Sequence, residues 1–139
     1  MTIREEAEEI LNKMHSCRPK SFFVKMDESK KGMGFVLIYL NESDHEVLAG
    51  ELAKASNVST ARIAALLRTM EKNGLVERYH SASDARHTIV KITQEGIRQA
   101  EQLREQVLAK IELLLERVGR EKLEEFIRLS NEIREALGE

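Results

Sequence analysis

Apolar residues recur at helical spacing near the start of the chain. Ile3, Ala7, Ile10, Leu11 and Met14 fall on one face and predict a helix over Thr2–His15. Arg18-Pro19 ends it, because the residue before a proline avoids helical backbone. Residues 16–30 read as a polar connection with Phe22 and Phe23 as anchors on the core. Met33–Asn41 is strongly apolar, and periodicity alone fits a buried strand or a buried helix. Helix is the expectation, since the following segments are helical and no partner strand lies nearby. Gly32 and Gly34 weaken its start.

The middle of the chain changes period twice. Ala49–Ser56 predicts a short helix with Leu52 and Ala53 inward, and Asn57-Val58-Ser59 a tight turn. Ser59 is suited to cap a second helix, which places Ile63, Leu66, Leu67 and Met70 on one face. Asn73-Gly74 closes it, glycine fitting the left-handed position after a helix. Leu75–His80 and Thr88–Thr93 are rich in β-formers and flank the polar stretch Ser81–Arg86, so a two-stranded hairpin is expected. Thr93 can cap a long helix running to about Val118, with Ala100, Leu103, Val107, Ile111, Leu114 and Val118 as its stripe. Gly119 breaks it, and a last helix spans about Arg120–Leu137 with Leu123, Phe126, Ile127, Ser130, Ile133 and Leu137.

Short helix, tight turn, amphipathic helix and hairpin, in that order, spell a winged helix-turn-helix. The expected fold is mainly α with a small β-hairpin wing. N- and C-terminal helices serve dimerisation. The boundaries are 1–46 for the N-terminal helices, 47–93 for the winged part and 94–139 for the C-terminal helices. A helix of about 25 residues is about 37 Å long, more than a monomer of this size covers on its apolar side, which favours a homodimer.

The helix after Ser59 is the candidate site. Its stripe faces the core, so Ala61, Ala65, Arg68 and Lys72 fall opposite, flanked by Arg62 and Thr69. Small residues let a helix approach base edges, arginine bonds guanine through two donors, and threonine can touch a thymine methyl. Ser59 and Thr60 lie at the helix start, where hydroxyls and unpaired N–H groups hold phosphate. Taken alone, this face reads more readily as a solvated surface of good helix formers. The hairpin changes that balance, because Arg86 at its tip suits the narrow, electronegative minor groove. Asp84 could pin either Arg86 or Arg78.

Charge agrees once it is located. The 139 residues carry a net charge of −2, yet Ser59–Lys91 holds six basic and three acidic residues. A basic segment on an acidic body still aims a local field at phosphate. The single Cys17 forms no intramolecular disulfide, the start MTIREEAEEI is no secretory signal, and Met33–Leu40 is too short to span a bilayer. A cytoplasmic protein is the expectation. No nucleophile elbow, phosphate loop or metal spacing appears, so neither catalysis nor a cofactor is expected.

Gly50-Glu51-Leu52-Ala53, Val58-Ser59, the run from Leu67 to Arg78 and the run from Ser83 to Gly96 together resemble the multiple-antibiotic-resistance regulator (MarR) family. The likeness covers about Val47–Gly96, with the flanking helices similar in pattern. It implies a homodimer on a pseudo-palindromic double-stranded operator, with a recognition helix in each major groove and a wing arginine in each minor groove. By position it places Ser59, Thr60, Ala61, Arg62, Ala65, Arg68 and Thr69 on the recognition helix, and Asp84 and Arg86 on the wing. Such proteins usually repress genes and leave DNA when a small molecule binds. Peroxide-sensing relatives carry a reactive cysteine near the N-terminus. Cys17 has Arg18 and Lys20 beside it but none of their tyrosines, and a spare thiol is the plainer reading. His15 and Cys17 could supply two metal ligands, without obvious others, and His80 and His87 read as wing residues. A winged-helix module for a protein partner is the alternative function. It would more often show apolar residues where Arg68, Lys72 and Arg86 stand.

Overall fold

The computed structural model describes residues 1–17, 32–84 and 86–138, with side chains from His15 to Cys17 left aside. Phe22, Phe23 and the Cys17 thiol therefore lie outside the described residues. Six helices and three strands follow in order among the described residues: α1 Ile3–Cys17, α2 Met33–Glu42, β1 Val47–Leu48, α3 Ala49–Ser56, α4 Thr60–Lys72, β2 Val76–His80, β3 Thr88–Ile92, α5 Gln94–Arg117 and α6 Arg120–Leu137. The apolar run from Met33 is a helix, as expected. None of these helices is long and apolar enough to cross a membrane.

The chain divides into two units. The winged unit, running up to Leu103, is built on one apolar cluster. Val36, Leu37 and Leu40 of α2 meet Leu52 and Ala53 of α3, Ile63, Leu67 and Met70 of α4, and Val76 and Val90 of the sheet there. Residues 33–42, grouped by sequence with the N-terminal helices, thus lend three side chains to the winged core. The hairpin is also larger than its pattern suggested. Val47 and Leu48 add a third antiparallel strand to β3, with Val47 opposite Val90, giving the order β1-β3-β2. Two residues are too few to show alternation, so no periodicity could reveal this strand.

The second unit joins α1 to Arg104 and the residues after it. Its interior takes Ala7, Ile10, Leu11 and Met14 from α1, Val107, Leu108, Ile111 and Leu115 from α5, and Ile127 from α6. Ion pairs frame it. Arg4 bonds Glu105 at 2.7 Å and also Glu112, Lys13 reaches Glu124 at 2.6 Å, and Arg120 reaches Glu9 at 2.5 Å. This corrects the expected dimer seam. Val107 and Ile111 are filled in by their own chain, while Phe126, Leu129, Ile133 and Leu137 form an exposed apolar row on α6. The middle of the α5 stripe looked uncovered because its partners on α1 lie about a hundred residues away in sequence, while Val118 at its end stays exposed.

Candidate nucleic-acid interface

Local chemistry explains how α4 is set. Asn57 takes a left-handed backbone, φ 56°, and turns the chain out of α3. Ser59 then caps α4, its Oγ accepting the Arg62 N–H at 3.1 Å. That oxygen's own proton remains free to donate. Ile63, Leu67 and Met70 are buried, which fixes the rotation of the helix. Ser59, Thr60, Ala61, Arg62, Ala65, Arg68, Thr69 and Lys72 are all exposed, so the expected face is the free one. The Thr69 hydroxyl donates back to the Ala65 carbonyl at 3.3 Å.

The wing tip is organised by one carboxylate. Asp84 accepts the Arg86 backbone N–H at 3.0 Å and two guanidinium bonds at 3.1 and 3.0 Å. These bonds hold its carboxyl below the usual carboxylate range. The Arg86 side chain nonetheless stays 89% exposed. It is held at its root and open at its surface, as a reading side chain must be. The turn closes with the Ser81 N–H on the His87 carbonyl at 2.9 Å, and the His87 N–H on Asp84 at 3.0 Å. Lys91 stands 5.5 Å from the Tyr79 ring centroid across the two strands. Of the two arginines within reach of Asp84 by sequence, Arg86 is therefore the partner.

Arg78 is bound elsewhere. Its guanidinium meets Glu71 at 2.9 Å and its backbone N–H meets the same carboxylate at 3.2 Å, so the last turn of α4 is tied to β2. A second tie lies behind it. The Thr93 N–H donates to the Leu75 carbonyl at 3.0 Å, and its hydroxyl to the Gly74 carbonyl at 2.6 Å. The same hydroxyl accepts the Gly96 N–H at 3.0 Å, which is the cap expected of Thr93. Gly74 has φ 75°, where a side chain would be strained. These ties were not read from the sequence. The one available signal was a glycine in the first turn of a helix, which is costly unless another backbone comes close. Among the described residues, no group of three His, Cys, Asp or Glu is placed to hold a metal ion.

A recognition-type helix with a free cationic face, followed by a three-stranded wing with an anchored arginine, defines a winged helix-turn-helix protein. Residues 35–88 match the MarR family. The chain is 28% identical over 116 residues to the HTH-type transcriptional repressor YetL of Bacillus subtilis, covering 84% of this chain and 70% of that protein. Its fold is that of MepR from Staphylococcus aureus. The MepR–DNA complex superposes with a TM-score of 0.70 at 21% identity, over 99% of each chain. MepR described as a regulator of the efflux pump MepA superposes at 0.62 with 20% identity, again over 99% of each.

Proposed function

We infer that the chain is a homodimeric regulator of transcription that binds double-stranded DNA. Each winged unit reads one half of a pseudo-palindromic operator, with half-sites about one helical turn apart. One observation carries this reading: the α4 face with Arg62, Arg68 and Lys72 is free, while Arg86 is anchored by Asp84 and open to solvent. A surface made for a protein partner would place apolar residues there. In this reading α4 enters the major groove, and Ser59 and Thr60 hold a backbone phosphate at its start. Arg62, Ala65, Arg68 and Thr69 meet base edges, and Arg86 enters the minor groove. Its direction of action is repression, as the name of YetL suggests for that protein. Release by a small molecule completes the family pattern. No catalytic step or cofactor belongs to this reading, and the protein works in the cytoplasm beside its DNA.

The exposed row Phe126, Leu129, Ile133 and Leu137 supports the dimer, because a second copy would remove it from water.

Selection of bound sequences from random duplex DNA tests the reading. Against the selected duplex, Arg86→Ala should weaken binding by about 1–3 kcal/mol while the melting temperature stays unchanged. Unchanged affinity in an anisotropy titration would remove the wing from the interface. Affinity should also fall steeply as salt rises, since several cations displace condensed counterions. A flat salt titration would point to a protein partner instead.

A further inference from the structure

One carboxylate ties the helix-turn-helix to α2. Glu51 lies in the first turn of α3, where unpaired N–H groups favour negative charge. Its Oε2 accepts the Tyr39 hydroxyl of α2 at 2.5 Å and lies 2.7 Å from Nε2 of His45 in the loop before β1. The Tyr39 hydroxyl, the His45 imidazole and the Leu48 backbone N–H hold Glu51 below the usual carboxylate range. The other ring nitrogen of His45, Nδ1, lies 3.2 Å from Oδ1 of Asp44.

His45 therefore has a carboxylate at each nitrogen. A neutral imidazole donates from one nitrogen only and would set its other lone pair against an oxygen, whereas the cation donates to both. Tyr39 from α2 is a neutral donor. From β3, Lys91 lines with His45 and Glu46 an open cavity of about 260 Å³. The bonds to Glu51 and then Asp44 outweigh the partial desolvation of the ring and raise His45 above its ordinary value.

We propose that Glu51 is a positioning residue that docks α3 on α2, and that protonation of His45 sets how firmly it holds. Because α4 follows α3 across a three-residue turn, a looser α3 presents the reading face less firmly. This deepens the DNA-binding reading and rests on it for the affinity it affects. The sign follows from the raised value. The cation's added hold is complete below about pH 6.5, the ordinary histidine value, and fades as pH rises through the folded value, leaving the Tyr39 bond and a single imidazole bond.

The test compares the full chain with His45→Gln and Glu51→Gln between about pH 5.5 and about pH 8.5, the range of histidine titration. His45 is half exposed, so its variant should fold. Histidine resonances followed by NMR should show His45 titrating above its ordinary value in the parent and returning toward it in Glu51→Gln. Without DNA, melting temperature should fall with rising pH by a few degrees more in the parent than in His45→Gln. Affinity for the selected duplex should fall about two- to fivefold more in the parent, the scale of one exposed ion pair. His15, His80 and His87 are present in both proteins, so the difference isolates His45. Identical pH profiles for the parent and His45→Gln, or His45 titrating at or below its ordinary value, would overturn the proposal. If no duplex is bound at any pH, the DNA reading fails, while the melting and NMR profiles still decide the role of His45.

Discussion

Val107→Asp should unfold the helical unit rather than split a dimer into folded monomers. Val107 is 1% exposed within its own chain. Removing it forfeits about 1.5–3 kcal/mol of apolar burial. The aspartate must then sit charged in a dry interior or take up a proton at a further cost, and either route adds several kcal/mol. A loss of about 4 kcal/mol or more is a large part of the 5–15 kcal/mol that holds a typical domain together. Circular dichroism should show most of the helical signal gone at room temperature. Ile133→Asp is the matching control, since Ile133 is 59% exposed. A carboxylate there is solvated in the single chain and buried only against a second copy. It should keep the helical signal and halve the mass seen by light scattering. Fully helical monomers of Val107→Asp would mean that α5, not α6, carries the dimer contact.

Gly96→Ala should cost about 1–3 kcal/mol, the range for forcing atoms into a filled space. A Cβ at this position would stand 2.3 Å from the Leu75 carbonyl oxygen and 2.6 Å from Cγ1 of Ile92. The Ile92 side chain can move aside. Leu75 cannot, because its N–H is bonded to the Met70 carbonyl at 2.9 Å and its oxygen to the Thr93 N–H at 3.0 Å. The sign is diagnostic, since glycine to alanine in an open helix would gain about 0.5–1 kcal/mol. The same substitution should reduce DNA affinity, because Leu75 links the end of α4 to the wing. Thermal unfolding checks the first effect. A melting temperature equal to or above that of the parent would show that the start of α5 can move away from Leu75.

Much of the winged unit was legible in the sequence, for reasons of short range. The tight turn at Asn57-Val58-Ser59, the cap at Ser59, the stop at Gly74 and the cap at Thr93 each depend on residues within one turn of a helix. The α4 face was legible because a helix has a single period, and burying Ile63, Leu67 and Met70 leaves Arg62, Arg68 and Thr69 outside. The wing could be read only as far as its own two strands. β1 joins β3 across some forty residues, and its two residues carry no pattern. Asp84 offered two arginines of similar reach, and the choice depended on Glu71 taking Arg78 first. The carboxylate of Glu51 could not be read at all, since Tyr39 and His45 approach it from another helix and a loop.

The order of letters alone determined the helices and the two strands of the hairpin, about where they start and stop, and which side of α4 faces outward. Those outcomes follow from backbone preferences and a fixed period, and both act over a few residues. The tertiary structure alone decided which apolar stripe is satisfied within the chain, which arginine each acid holds, and where another backbone leaves no room for a methyl group. These are meetings between segments far apart along the chain, and only packing brings them together.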